Sequence, residues 1–244
     1  MTDPVIVPRS EHPISRRLIE TRRYAAIADR ADVTRGRLSE IFDRRYRGRF
    51  ALLALAAFLT SVFNAPSSQL MNKYLEDVRD YSSTGVALFR AVTTALPGLL
   101  GILIGGRLAD ARGRRPVAAI GLAIATVTQM GFFLVGGLPI WFLAAASVLT
   151  AGAGGIALGT MDAELFATEV RSTSNAILTV VAVMGSGLGL LLAGALADPL
   201  GGLGRSIALM GIATLIAAVV VIPRLPESAP LALDVVSPTE TGEP

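Results

Sequence analysis

The chain contains no cysteine. That excludes a disulfide framework, a thiolate nucleophile and any cysteine-held metal or cluster. Histidine is almost as scarce: His12 is the single one, and it stands in a polar N-terminal segment. A Ser-His-Asp triad or a histidine metal site therefore lacks its parts. With no readable pairing of nucleophile and base, no catalytic residue, no metal and no cofactor is expected, and the chain does not read as an enzyme. Charge is also sparse, at 17% of 244 residues, where soluble domains carry about 25%. The basic residues lie between apolar runs rather than in one stripe, so nucleic acid is not an expected partner. Residues 1–49 lack an apolar core of the length a cleavable signal peptide needs.

Apolar sequence takes the room that charge leaves. The chain is 52% hydrophobic, with a mean hydropathy of +0.58. Six runs are long enough to cross a bilayer: about Phe50 to Leu70, Thr84 to Gly106, Val117 to Val135, Ile140 to Thr160, Ser172 to Leu196 and Arg205 to Ile222. The expected fold is an all-α membrane protein with six transmembrane helices, its first partner the lipid bilayer. Three segments follow: a basic leader over 1–49, a six-span domain over 50–222, and a polar, proline-rich tail over 223–244 that reads as disordered. In the leader, Leu38, Ile41, Phe42 and Tyr46 fall at helical spacing. A helix in the headgroup region and a disordered basic segment both fit them.

Arginine and lysine divide unequally between the two ends of the spans. One end has Arg44, Arg45, Arg47 and Arg49, then Arg107, Arg112, Arg114, Arg115, Arg171 and Arg224; the other has Lys73, Arg79 and, at its edge, Arg205. Basic short connections stay in the cytoplasm, so both termini are expected there. Residues 71–83 and the turn Gly136-Gly137-Leu138-Pro139 are then expected as outer loops.

Two connections carry more than charge. Between the second and third spans the chain reads Gly105-Gly106-Arg107-Leu108-Ala109-Asp110-Ala111-Arg112-Gly113-Arg114-Arg115. This resembles the loop signature of the major facilitator superfamily, G-x-L-A-D-[RK]-x-G-R-[RK]. Gly106, Leu108, Ala109, Asp110, Gly113, Arg114 and Arg115 match it, and Ala111 departs from it. After the fourth span, Met161 to Arg171 is similar to A-E-x-[FY]-P-[ST]-x-x-R of the sugar-porter-like branch. Ala163, Glu164, Phe166, Thr168 and Arg171 match, while Ala167 replaces the proline. Leu225-Pro226-Glu227-Ser228 resembles the close of that branch's last span, and Leu18 to Tyr24 resembles the segment after the sixth span of full-length members.

The resemblance implies twelve spans in two halves, each half built of two inverted three-helix repeats. This chain looks like the C-terminal half. The implied activity is secondary active transport of a small solute by alternating access, as in a symporter, in the plasma (inner) membrane. A companion six-span half or a second copy would supply the other wall. The alternative is a non-transporting remnant or an accessory membrane subunit. The family implies that Asp110 docks on the fifth span of the opposite half as part of a conformational switch. Glu164 and Arg171 could form a charge network with Arg114 or Arg115 within this half.

Polar residues inside the spans are the candidate substrate or ion pathway: Asn64, Gln69, Thr93, Gln129 and Arg90. The uncharged ones could equally bond neighbouring helices. Arg90, with Thr93, Thr94 and Pro97 at helical offsets, is expected on one polar, kinked face. It could bind an anionic substrate, or pair with a companion's carboxylate, or snorkel to the headgroups. Pro66 is expected to kink the first span and free a carbonyl. The glycines of the fourth and fifth spans are expected to serve helix packing.

Overall fold

A computed structural model of the chain describes residues 47–165 and 168–226, with the backbone alone in 162–165 and 168–173. Six long helices cross it: α1 (Arg47–Gln69), α3 (Ser83–Arg112), α4 (Arg114–Leu134), α5 (Pro139–Leu165), α6 (Thr168–Ala195) and α7 (Leu203–Arg224). A short helix, α2 (Met71–Asp77), follows α1. No strand occurs among the described residues. Each long helix is apolar and long enough to span a bilayer.

The boundaries differ from the sequence expectation in five places. α1 begins at Arg47 rather than Phe50. Residues 71–77, expected as loop, form α2, because Met71, Tyr74 and Leu75 place one buried face at helical spacing. The arginine-rich connection is itself helical up to Arg112, and Gly113 alone makes the turn, at φ 94°. Such a φ strains any residue with a Cβ. The connection after the fourth span is likewise mostly helix, α5 running to Leu165 and α6 starting at Thr168. At the far end, Pro223 and Arg224 complete a 3-10 turn and Leu225 is wholly buried, so the expected disordered tail does not begin at 223. Residues 227–244, and the leader before Arg47, lie outside the described residues.

Apolar burial divides the core by depth. At the arginine-rich end, Phe50, Leu53, Val117, Ala118, Met161, Leu178, Ile222 and Leu225 form one cluster. At the opposite end, Val62, Tyr74, Phe89, Phe132, Ile140 and Ile207 anchor a second, aromatic-rich one. Phe89 lies edge-on to Trp141 at 4.7 Å and Phe132 to Phe133 at 4.9 Å, the geometry that aromatic quadrupoles favour. α4 packs on α5, α3 on α5, α1 on α6, and α7 runs against both α4 and α1. α7 is the most enclosed span; α3 and α6 are the least.

The prolines are accommodated locally. Pro97 follows a π turn, Ala91–Ala95, which absorbs the hydrogen bond that proline cannot make. Pro66 lies inside an otherwise continuous α1. It frees the carbonyl four residues back, Val62, and Gly189 of α6 lies directly against that carbonyl. One turn away Gly185 lies against Phe58 in the same way, where an added Cβ would stand 2.5 Å from the oxygen.

Candidate functional site

The glycines of the bundle fall into packed and open ones. Gly101 and Gly105 of α3 press on the backbone of Leu149 and Ala153, and Gly121 of α4 meets Gly154 of α5. These contacts use small residues for close backbone approach. By contrast Gly106, Gly155, Gly159, Gly187 and Gly194 have no neighbour within 4 Å. The packing role expected for all glycines of the fourth and fifth spans thus holds for Gly152, Gly154, Gly185 and Gly189, and not for the other four there. Gly106, adjacent to the packed Gly105, has open space beside it.

The open glycines Gly155 and Gly159 border a cleft of about 300 Å³ between α1, α5 and α6. Leu53 and Ala57 line it from α1, Leu158 from α5 and Leu178 from α6. Two polar side chains, Asn175 and Thr179, enter it. The Thr179 hydroxyl donates to the Asn175 carbonyl at 2.8 Å. The Asn175 amide has no hydrogen-bond partner among the described residues. Asn64, two helical turns beyond Ala57 on the same face of α1, is exposed. Asn175 and Thr179 escape sequence reasoning, because a four-residue spacing of small polar groups occurs on many apolar helices. Only the neighbours of α6 show that this face is open.

The other polar residues singled out in the sequence do not gather there. Thr93 is buried and donates to Phe89 O of its own helix at 2.8 Å, whereas Thr94 is exposed. Thr93 faces the core and Thr94 does not, so they do not form one polar face with Arg90. Gln69 is exposed at the end of α1, and Gln129 is half-buried on α4. Arg90 is half-buried and donates to Asn72 Oδ1 at 2.8 Å. An uncharged partner on α2 thus meets a guanidinium for which the spans offered no acid.

At this end of the bundle α2 is fastened twice. Besides Arg90–Asn72, the Tyr74 hydroxyl donates to Phe133 O at 2.8 Å and accepts from Arg79 at 2.6 Å. Arg79 also donates to Val135 O and lies 5.3 Å from the centroid of the Tyr74 ring. It therefore serves the carbonyl of Val135, the C-cap of α4, where a cation is favoured. Burial pushes the Tyr74 phenol above its ordinary value, and the nearby Arg79 opposes that shift.

At the arginine-rich end, Asp110 is exposed and faces Arg114 at 3.8 Å, one turn on. Such a pair in water contributes little. Arg115 does not point the same way: its NH1 donates to Pro223 O at 3.4 Å and Leu225 O at 3.3 Å. The side chains of Glu164 and Arg171, expected to join these arginines, lie outside the described residues.

Six apolar spans, three on either side of the Gly136-Gly137 turn, with a glycine-bordered cleft on one side, make this an integral membrane protein of transporter architecture. The sequence profile of the Major Facilitator Superfamily matches residues 49–237, well over half of the chain. The chain belongs to that superfamily. Over 156 residues it is 27% identical to the MFS-type transporter lnaF of Aspergillus flavus. The match takes in 60% of this chain and 31% of that protein, so the chain spans about a third of the relative's length.

Proposed function

We propose that the six spans form one wall of a secondary active transporter, the C-terminal half of the fold. It moves a small solute by alternating access, in symport, across the plasma membrane with both ends of the domain in the cytoplasm. The observation that carries this reading is the cleft. A bundle that packs Gly152, Gly154, Gly185 and Gly189 against neighbouring helices keeps Gly155 and Gly159 clear, where a polar amide lines an apolar hollow. Transporters of this class place the solute between two such walls near the midplane. The second wall is a companion six-span half or another copy of this chain. The polar groups proposed to meet the solute are Asn64, Asn175 and Thr179. Arg90 enters as an anchor of α2 at the rim, and Asp110 as the exposed acid of the switch, available to a helix end of the companion.

Reconstitution tests this. Monomeric protein in proteoliposomes should give no solute accumulation. Co-reconstituted with a six-span companion, or as a defined dimer, it should. Gly159→Leu should then stop uptake while leaving the unfolding midpoint of the purified chain unchanged. Concentrative uptake by demonstrably monomeric protein would refute the two-wall reading, and unchanged uptake by the Gly159→Leu assembly would remove the cleft from the pathway.

A further inference from the structure

We propose that Arg115 pins the exit of the last span to the start of α4, so that the two three-span units are joined as one piece at the arginine-rich end. α4 closes the first unit and α7 closes the second. Arg115 is the second residue of α4, and its guanidinium reaches carbonyls at Pro223 and Leu225, at 3.4 and 3.3 Å. These carbonyls need outside donors. The last span ends in a π turn, Ala217–Val221, and then a 3-10 turn, Ile222–Arg224, and the helix ladder stops there. A planar guanidinium can serve two acceptors at once, which an ammonium point charge does less well. Its positive charge also suits the negative end of the helix.

A second contact fixes the same spot. The Leu225 side chain is completely buried in the cluster that holds Val117 and Ala118 of α4 and Phe50 and Leu53 of α1. The Leu225 amide donates to Ile222 O at 3.0 Å. Leu225 is thus held by its side chain from below and by its carbonyl from Arg115. The other arginines of the stretch are placed differently: Arg107 and Arg112 are exposed, and Arg114 faces Asp110. The start of α4 cannot shift without carrying the exit of α7. This holds whatever solute is carried and whatever forms the second wall.

The absence of native cysteine makes the test direct. Spin labels at Arg112→Cys and Pro226→Cys report the distance across the pin. A second pair, Lys73→Cys and Leu138→Cys, reports the far end of the bundle. The parent protein should give a narrow distribution for both pairs. Arg115→Ala should broaden the first and leave the second narrow. It should also speed hydrogen exchange of the Leu225 amide by about tenfold or more, as expected when a charge-assisted hydrogen bond to a local closed state is lost. Arg115→Gln, which keeps polarity but not reach, carries the same expectation should the alanine variant fail to fold. Arg107→Ala should behave as the parent. The inference is overturned if Arg115→Gln keeps the narrow distribution and the slow exchange. It is also overturned if Arg107→Ala loosens the first pair equally, since positive charge in general would then be the cause.

Discussion

Replace Gly189 by alanine and α6 can no longer lie against α1 as it does. The new Cβ would stand 2.8 Å from the carbonyl carbon of Val62 and closer still to its oxygen. Carbon atoms in contact keep about 3.5–4.0 Å apart, so the helices must separate by well over half an ångström. Neither side can yield by rotating a side chain, because both partners are backbone. Overpacking of this kind costs about 1–3 kcal/mol. The carbonyl concerned is also the one Pro66 leaves without its helical donor, so separation exposes a polar group that the lipid cannot satisfy. Gly187, two residues earlier, has nothing within 4 Å. There alanine meets no obstacle, and its better helix propensity contributes up to about 1 kcal/mol. The two variants should therefore change stability in opposite directions. Purified protein in mild detergent, titrated with a denaturing detergent, reports this by far-UV circular dichroism and by the fluorescence of Trp141, the single tryptophan. Equal shifts for both variants, or a stable Gly189→Ala, would refute the division of glycines into packed and open.

Gly113→Ala forces a Cβ into φ 94° and should lower the unfolding midpoint by the equivalent of about 1–2 kcal/mol, read in the same titration; no loss would mean that the turn rearranges freely. Tyr74→Phe removes the hydroxyl between Arg79 and Phe133 O and should cost about 1–3 kcal/mol, where an unchanged midpoint would make the outer fastening incidental. The Tyr74 phenol is raised above 10.0 in the folded protein, so its contribution is complete below that pH and is lost as pH climbs through the folded value. Alkaline titration should accordingly weaken the parent more than Tyr74→Phe, and parallel curves would contradict it. Cysteines at Ser82 and at Arg112 should label from opposite faces of the membrane in intact cells, and labelling from one face would overturn the six-span topology.

The spans were legible because each is a long apolar run, and length against bilayer thickness needs no knowledge of neighbours. α2 was not, for it is seven residues in a mixed-charge stretch and only Met71, Tyr74 and Leu75 mark it. The two stretches that resemble family loops hid their helicity for a different reason. Charged residues such as Arg107 and Asp110 signal water, and a helix that runs out of the bilayer satisfies that signal as well as a coil does. The candidate site was read least well. Arg90 stood out by its charge, yet its partner is Asn72, eighteen residues away on the helix that sequence reasoning had assigned to a loop. Gly105 and Gly106 are adjacent and identical, and only the position of Ala153 tells them apart. Asn175 acquires meaning from the cleft it enters, which is a property of three helices together.

The contact between Val62 and Gly189 also sets an order of events during synthesis. Of these six spans α1 is made first, and the one it packs against most closely, α6, is made fifth. Gly189 follows Val62 by roughly 130 residues, a delay on the order of ten seconds at translation rates of about 5–20 residues per second. Throughout that interval the Val62 carbonyl, freed by Pro66, has no glycine against it. A bare carbonyl in hydrocarbon is costly. The fifth span, when it arrives, is what covers that carbonyl from the hydrocarbon.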